Sequence, residues 1–180
     1  DESFTAHTIA TSADGPLSVY AVDLDGDGDI DVLSASQNDD AIAWYENDGS
    51  ESFTASDIAT SADGARSVYA VDLDGDGDID VLSASQNDDA IAWYENDGSE
   101  SFTAADIATS ADGAYSVYAV DMDGDGDIDV LSASENDDAI AWYENDGSES
   151  FTAADIATDA DGAHSVYAVD MDGDGDIDVL

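Results

Sequence analysis

The chain repeats itself with a period of 49 residues, and this period restricts its fold more than any other feature. One phenylalanine marks each copy, at Phe4, Phe53, Phe102 and Phe151. Residues 53–101 and 102–150 differ at only four positions. Units this similar are expected to form one local structure that packs against copies of itself. We therefore interpret residues 1–180 as a single repeat domain with equivalent units 4–52, 53–101, 102–150 and a partial unit 151–180.

Each unit contains four short segments of β-strand character, and none shows sustained helical periodicity. In the first unit these are SVYAVD (Ser18–Asp23), DVLSAS (Asp31–Ser36), AIAWYE (Ala41–Glu46) and SFTAHTIA (Ser3–Ala10), the last being the fourth strand type. The turn signals QNDD and NDGS lie between them. Four strands per repeat of about 40–50 residues is typical of a β-propeller blade.

The predicted fold is therefore all-β, built from tandem four-stranded blades of 49 residues each. We expect a β-propeller-like arrangement, as an open or partial ring or as part of a longer array. Stacked blades bury both faces of each sheet, so apolar residues are expected on both. A β-solenoid or a filament-forming repeat array remains the alternative.

The charge of the chain is extreme, with 46 acidic residues against one basic residue, Arg66, and a net charge of −45. Nucleic acid is excluded as a partner, because phosphate binding requires lysine and arginine. No apolar run approaches the roughly 20 residues of a membrane helix, so membrane insertion is not expected. Cysteine is absent, which excludes disulfides and thiolate sites. The first residues, Asp1-Glu2-Ser3, are typical of a mature or excised segment.

The segment DLDGDGDID predicts a metal-binding loop. Its carboxylates alternate along the chain at Asp23, Asp25, Asp27, Asp29 and Asp31. The first three occupy ligand positions 1, 3 and 5, and Gly28 at position 6 permits a sharp turn. The backbone carbonyl of Asp29 is the expected ligand at position 7, with its side chain toward solvent, and Asp31 completes the site. Oxygen ligands in this number favour Ca²⁺ over Mg²⁺.

The same loop recurs in every repeat, so we predict about one Ca²⁺ per repeat and four in the chain. The other copies are Asp72, Asp74, Asp76, Asp78 and Asp80; Asp121, Asp123, Asp125, Asp127 and Asp129; and Asp170, Asp172, Asp174, Asp176 and Asp178. The loop is not an EF-hand, because position 12 is Ser34 and the flanking segments are strands. An acidic turn without an ion does not explain carboxylates packed this closely. Because each loop belongs to its own repeat, we expect loss of one to leave its neighbours largely intact.

The sequence DLDGDGDIDVLSAS followed by NDDAIAWYENDG resembles the FG-GAP/VCBS-type repeats of bacterial extracellular proteins, which are related to the calcium-bearing blades of integrin α-chain propellers. The resemblance covers the whole chain. It implies β-propeller blades, Ca²⁺ in the hairpin between the first two strands, and a secreted or cell-surface location. It does not imply catalysis. Family propellers commonly have more blades than this chain has repeats.

Three repeated features allow two interpretations each. Trp44, Trp93 and Trp142 could form a sugar-stacking surface, although packing between blades is favoured because they lie mid-strand. The segment Asn47-Asp48-Gly49 could bind further cations, but these residues suit a turn with positive φ. The pair Asp39-Asp40 could serve acid–base chemistry, but a solvated turn is favoured because no nucleophile lies nearby in sequence.

One repeat position varies in chemistry while its neighbours barely change, and it is occupied by Leu17, Arg66, Tyr115 and His164. This variation indicates an exposed position. It is explained equally well by neutral drift and by a binding rim to which each blade contributes one residue. His7 and His164 are not repeated and receive no catalytic or metal-binding role.

The favoured function is a calcium-stabilised extracellular repeat protein that acts in adhesion or interaction, with a glycan or surface protein as partner. The alternative is a structural spacer or filament subunit that assembles head-to-tail with copies of itself. The last unit stops before a segment of the AIAWYE kind, which favours a longer array or head-to-tail neighbours. An enzyme is not expected, because no constellation supplies a nucleophile and a base.

Overall fold

The computed structural model describes residues 3–180, which form strands, turns and bends without a helix. The interpretation of Asp1-Glu2-Ser3 as an excised end rests partly on two residues outside the described ones. Among residues 3–180 no helix is available to traverse a lipid bilayer.

Three four-stranded antiparallel sheets and one two-stranded sheet follow one another along the chain, and none closes into a barrel. We call them blades 1 to 4. Blade 1 comprises β1 (Pro16–Val22), β2 (Asp31–Ser36), β3 (Ala41–Asn47) and β4 (Phe53–Ala59). Blade 2 comprises β5 (Ala65–Val71), β6 (Asp80–Ser85), β7 (Ala90–Asn96) and β8 (Phe102–Ala108). Blade 3 comprises β9 (Ala114–Val120), β10 (Asp129–Ser134), β11 (Ala139–Asn145) and β12 (Phe151–Ala157), and blade 4 has β13 (Ala168–Val169) and β14 (Asp178–Val179).

The strands of each blade are ordered as they occur in the chain, so every neighbouring pair is a hairpin. The prediction of an all-β fold with four short strands per repeat is confirmed. The predicted bounds of β2 match the structure, whereas β1 begins two residues earlier than expected and β3 extends to Asn47. Blades 1 to 3 each take their fourth strand from the beginning of the next 49-residue unit.

The expectation of a strand at Ser3–Ala10 is wrong. The equivalent segment Phe53–Ala59 forms β4 only because it pairs with β3, where Asn47 lies opposite Phe53. Among residues 3–180 no strand pairs with the N-terminal segment, and Phe4 is 94% exposed. Strand pairing, and not the local sequence alone, decides this segment.

The apolar core lies between blades, as the stacking hypothesis predicted. Leu33 and Trp44 on one face of blade 1 belong to the same buried cluster as Val68 and Val81 of blade 2. An equivalent cluster joins blades 2 and 3, and a smaller one joins blades 3 and 4. Alanines such as Ala65, with no exposed surface, allow the backbones to approach closely. Both faces of blade 2 are therefore buried.

The first strands of successive blades run side by side. Their tyrosines form a ladder with ring centroids 4.9 to 5.1 Å apart, at Tyr20, Tyr69, Tyr118 and Tyr167. The strands also hydrogen-bond through a side chain, because the backbone N–H of Val68 donates to the hydroxyl of Ser18 over 3.3 Å. The blades thus follow one another in a regular register, which places the same loop of each blade at the same end.

Candidate metal centres

The aspartate loop connects the first and second strands of each blade and is folded around its own carboxylates. Asp23 accepts a hydrogen bond from the backbone N–H of Gly28 over 3.0 Å, and Asp25 accepts one from Asp27 over 3.1 Å. Gly28 has a φ of +98°, in the left-handed region that favours glycine. The backbone conformation of Gly28 confirms the prediction that this position of the loop makes a sharp turn suited to glycine.

Each loop brings three carboxylates together, with ligand atoms that all lie within 4.8 Å of one another. The clusters are Asp23, Asp25 and Asp27; Asp72, Asp74 and Asp76; Asp121, Asp123 and Asp129; and Asp170, Asp172 and Asp178. Positions 1 and 3 contribute in all four loops, position 5 in the first two and position 9 in the last two. Such clusters could hold a metal ion, because an oxygen-only donor set suits hard cations.

One atom of the first loop tests whether a cation fits. Asp23 Oδ1 is buried and has no hydrogen-bond partner among residues 3–180, while its other oxygen is bonded to the loop backbone. A buried acceptor without a donor is costly unless something else satisfies it. A cation held by Asp23 and its neighbours would do so, so the residues present fit a metal ion.

Asp31 ties the loop to the rest of its blade. Its carboxylate accepts the backbone N–H of Leu24 in the loop over 3.2 Å and that of Asn47 at the end of β3 over 2.7 Å. The residue has no exposed surface. Asp80 and Asp129 make the same pair of bonds in blades 2 and 3. The ninth loop position is therefore a structural anchor as well as a candidate ligand.

Burial raises the pKa of Asp80 to about 6, although hydrogen bonds from Asn96 and Leu73 act in the opposite direction. Burial likewise raises the pKa of Asp129. In the first loop, desolvation raises the pKa of Asp25, although the hydrogen bond from the backbone N–H of Asp27 acts in the opposite direction. Without a bound cation, these carboxyl groups are therefore harder to ionise than free ones.

The expectation that Asp29 points its side chain to solvent is wrong. The side chain is half-buried against the turn between β3 and β4, where a Cβ placed on Gly49 would lie 2.4 Å from Asp29 Oδ2. Asp78 and Asp127 lie in the same way against Gly98 and Gly147. The side chain at position 7 is thus packed against a glycine and lies outside the carboxylate cluster. Its backbone carbonyl remains a predicted ligand.

The segment Asn47-Asp48-Gly49 forms the turn favoured from the sequence. Asp48 accepts hydrogen bonds from both the hydroxyl of Ser50, over 2.6 Å, and the Ser50 backbone N–H, over 3.0 Å. These bonds lower the pKa of Asp48. Gly49 has a φ of +74°. The carboxylate is therefore engaged with its own turn.

The pair Asp39-Asp40 has a structural role that sequence reasoning missed. Asp40 belongs to blade 1, yet its carboxylate accepts the backbone N–H of Gly64 over 3.1 Å and its carbonyl accepts that of Ala62 over 2.9 Å. Both donors lie in the loop that leads into blade 2. Asp89 and Asp138 repeat the arrangement at the next two junctions. Asp39 instead bonds to Asp14 in its own blade.

The packing interpretation of the tryptophans is confirmed. Trp44 and Trp93 are 4% and 3% exposed, and both lie in clusters between blades. Trp142 is half-buried, since it faces the two-stranded blade 4. In blades 1 and 2 the indole rings therefore offer no free face for stacking on a sugar.

The variable position forms a ladder across the blades. The guanidinium of Arg66 lies 4.9 Å from the centroid of the Tyr115 ring, which in turn stacks on His164 at 4.2 Å. Gln86 and Glu135 form a second row beside this ladder. Gln86 accepts a hydrogen bond from Arg66 and donates one to Glu135, whose Oε1 lies 3.3 Å from Nε2 of His164. Leu17 at the open end is half exposed. The residues at this repeat position from blades 2 to 4 therefore contact one another directly.

Clefts open between the outer strands of each blade and the loop that precedes it. In blades 2 and 3 they measure about 320 and 340 Å³. The cleft of blade 2 has alanines such as Ala92 in its wall, with Asp88, Asp106 and Tyr94 nearby. A related cleft of about 220 Å³ lies on blade 1. Clefts of this kind thus recur in blades 1, 2 and 3, and each combines carboxylates with apolar walls.

Comparison with known proteins identifies the repeat. A family model described as FG-GAP-like repeat matches residues 23–83, 72–132 and 121–180. A search of curated proteins finds no match. A similar solved structure is an Agrocybe aegerita lectin, described as recognising non-reducing terminal N-acetylglucosamine, with a TM-score of 0.62 and 18% identity over 89% of this chain and 46% of that one. The V. cholerae biofilm matrix protein Bap1 has a TM-score of 0.41 and 20% identity, over 86% of this chain and 30% of that one. This chain thus spans less than half the length of either.

Proposed function

Because the chain belongs to the FG-GAP-like repeat family, we propose that it is a calcium-stabilised extracellular or cell-surface repeat protein that acts in adhesion or interaction and not in catalysis. The observation that carries the proposal is the fourfold carboxylate loop, in which Asp23 keeps a buried oxygen without a partner. Ca²⁺ suits a site of this kind, because it accepts several carboxylate and carbonyl oxygens.

The residues that would hold the ion are those of positions 1, 3, 5 and 9, together with the carbonyl of position 7. Bound Ca²⁺ would supply the positive charge that allows all of these carboxylates to ionise at once. The chain's own part is to hold them in place: Asp31 links the loop to β3, and Gly28 lets the backbone turn. Loss of the ion would leave the carboxylates repelling one another at short range.

Metal binding is tested by calorimetric titration with CaCl₂ and by thermal unfolding with and without a chelator. We expect about four Ca²⁺ per chain, a sharply lower melting temperature in excess chelator, and poor rescue by Mg²⁺, which keeps its waters. The matched control is Asp48→Asn, which removes a carboxylate bonded within a turn outside the loops. A melting temperature unaffected by chelation would refute calcium stabilisation.

The interaction surface is proposed at the clefts between blades. The carboxylates of Asp88 and Asp106 would accept hydrogen bonds from sugar hydroxyls, while alanine methyls would contact apolar C–H groups. The lectin with a similar fold supports a glycan as the first partner to test, and a surface protein as the second. The rim formed by Leu17, Arg66, Tyr115 and His164 is the other candidate contact surface.

A glycan array probed in millimolar Ca²⁺ tests this surface. Binding should weaken in Asp106→Asn, which alters the cleft, and should persist in Asp97→Asn, which alters a turn carboxylate bonded to Ser99. Array binding that is equally strong in both variants would place the contact elsewhere. Absence of binding to any glycan would leave protein pull-down from cell surfaces as the decisive measurement of the adhesion function.

Head-to-tail association with a second copy is the alternative, and one observation favours it. Val19 of blade 1 is 70% exposed, whereas its equivalents Val68, Val117 and Val166 are each 4% exposed under the preceding blade. Blade 1 thus presents a face that the chain elsewhere covers with a copy of itself. Sedimentation in Ca²⁺ should show assemblies that Val19→Asp disrupts and that Ala105→Asp, on the exposed outer strand β8 of blade 2, does not. A monomer of 18.6 kDa at all concentrations would exclude assembly.

A further inference from the structure

Neighbouring aspartate loops are connected by one asparagine at each junction between blades. Asn96 ends β7 and is 4% exposed. Its backbone N–H donates to Asp80 of its own blade over 2.7 Å. Its side-chain amide reaches the carbonyl of Leu24 in the loop of blade 1, over 3.5 Å, and that of Ile79 over 3.1 Å. One residue therefore contacts elements of two loops.

The contacts form a continuous path between the two anchoring aspartates. The Leu24 N–H donates to Asp31, and the Leu24 carbonyl faces Asn96, whose own N–H donates to Asp80. Only two residues, Leu24 and Asn96, therefore connect Asp31 in the aspartate loop of blade 1 (loop 1) to Asp80 in that of blade 2 (loop 2). At the next junction Leu73 and Asn145 make the same contacts, with the same distance of 3.5 Å between them.

We infer that Asn96 and Asn145 are positioning residues that couple the cation sites of adjacent blades. An ion in one loop holds its anchoring aspartate and the N–H bonded to it, which orients the carbonyl on the same residue. That carbonyl accepts from the asparagine side chain of the next blade and so orients it. The backbone N–H of the same asparagine in turn holds the anchoring aspartate of the next loop. Coupling of this kind is reciprocal, so each occupied loop favours occupation of its neighbour. Sequence alone led to the expectation of independent loops.

The chain contains its own control in Asn47. This asparagine occupies the same position in blade 1 and makes the same bonds within its blade, to the carbonyl of Ile30 over 3.0 Å and from the N–H of Gly49 over 3.2 Å. Among residues 3–180 no blade precedes it, so it has no loop to reach across a junction. Replacing Asn47 removes the bonds within one blade, whereas replacing Asn145 also removes the contact across a junction.

The test is a double-mutant cycle read at a single loop. The inference rests on the proposed binding of Ca²⁺. Met122 lies in loop 3, where its backbone donates to Asp129, and the chain has only two methionines. The ¹³C-methyl NMR signal of Met122 during a CaCl₂ titration therefore reports occupation of loop 3. The titration is made on the unsubstituted chain, on Asp76→Ala in loop 2, on Asn145→Ala, and on the double variant.

We expect Asp76→Ala to raise the Ca²⁺ concentration that half-saturates loop 3 by about three- to tenfold, the scale of one hydrogen bond. In the Asn145→Ala background the same substitution should have less than about a twofold effect, because the path is already broken. In the Asn47→Ala background the full effect should remain. If Asn145→Ala does not fold, Asn145→Asp removes the amide donor at nearly constant shape and replaces it in the cycle.

The outcomes separate this inference from the proposed function. No Ca²⁺-dependent change at Met122 in the unsubstituted chain would overturn both. Saturable binding with a midpoint that Asp76→Ala leaves unchanged would overturn the coupling and leave calcium binding intact. A shift of equal size with and without Asn145→Ala would show that coupling exists but does not pass through this asparagine, which also overturns the inference.

Discussion

At the scale of single residues, one aspartate has a different character in different copies of the same loop. Asp31, Asp80 and Asp129 are buried and bonded at both carboxylate oxygens. Asp178 is exposed and bonds only to Met171 in the structure, because blade 4 has no third strand to supply the second donor. The sequence around all four is nearly the same. The neighbouring strand therefore determines how deeply this carboxylate is buried and how many backbone donors it meets.

The raised pKa of Asp80, about 6, predicts that Ca²⁺ affinity depends on pH. Below this pKa the carboxyl binds a proton that the cation must displace, so affinity should rise by up to about tenfold per unit of pH up to 6 and level off above it. Calorimetric titration at pH 5, 6 and 7 measures this change. Affinity that does not differ between pH 5 and 7 would contradict the assigned role of Asp80.

The raised pKa of Asp80 also predicts that, without calcium, the stability of the folded chain decreases as the pH rises. This pKa lies above the ordinary value of 3.8, so the contribution of Asp80 to stability is fully present below pH 3.8 and is lost as the pH rises through about 6. We expect the free energy of unfolding in chelator to fall over this range. The fall should be smaller in Asp80→Asn, which cannot ionise, and an equal fall in both chains would assign the effect to other groups.

The glycine of the turn between the third and fourth strands should be less replaceable than a glycine with positive φ that has free space around it. Gly98 has a φ of +71°, and an added Cβ would lie 2.4 Å from Asp78 Oδ2. Gly162 has a φ of +65° with no atom within 4 Å of such a Cβ. We expect Gly98→Ala to reduce the free energy of unfolding by about 2 kcal/mol and Gly162→Ala by about 1 kcal/mol, since only the first adds a clash to the backbone strain. Equal losses in urea unfolding would show that Asp78 moves aside freely.

At the scale of elements, the turn between the second and third strands joins one blade to the next. Asp89 holds the loop into blade 3 with its carboxylate and its carbonyl, at a φ of +55°. Both groups accept hydrogen bonds from residues outside their own sheet, Gly113 and Ala111. Two kinds of contact therefore hold neighbouring blades together. Apolar side chains pack between the sheets, and the aspartate of the turn forms hydrogen bonds to the loop that leads into the next blade.

Replacing Asp89 tests the polar link. Asp89→Ala should lower the free energy of unfolding by about 2 kcal/mol, from the lost hydrogen bond to Gly113 and from placing alanine at positive φ. Asp89→Asn keeps an acceptor oxygen and tolerates this φ, so it should lose less than about 1 kcal/mol. Urea unfolding compares the two variants. Equal losses in both would show that the charge of Asp89, and not its hydrogen bond, stabilises the junction.

Elements within one repeat could be predicted from the sequence, but contacts between repeats could not. The period, the strands and the turning glycine at Gly28 follow from local patterns. The partner of Asp40 lies 24 residues away in the next blade, and only the orientation of stacked blades identifies it. Asn47 and Asn96 have identical neighbours in sequence, yet only Asn96 contacts a preceding loop. The predicted strand at Ser3–Ala10 was wrong for the same reason, because strand formation depends on a pairing strand that the segment's own residues do not reveal.

At the scale of the whole molecule, repulsion between carboxylates opposes the stacking of blades. Desolvation, followed by Glu100 of the next blade and the nearby Asp25, raises the pKa of Glu46. Favourable ion pairs are scarce, since Arg66 is the only basic side chain besides two histidines, and it bonds to Gln86. Four bound Ca²⁺, each of charge +2, would reduce the net charge of −45 only to −37. Calcium therefore leaves most of the repulsion in place.

This charge balance predicts that salt stabilises the chain even when calcium is saturating. Added salt screens repulsion between carboxylates, and with one basic side chain there are few attractions for it to weaken. The melting temperature should rise steadily from 10 mM salt, where the Debye length is about 30 Å, to 1 M, where it is about 3 Å. Circular dichroism in NaCl and in choline chloride measures the rise. An equal rise in both salts indicates screening, whereas a rise in NaCl alone would indicate bound sodium. A melting temperature that stays flat in both would show that the acidic residues lie too far apart for their repulsion to oppose folding.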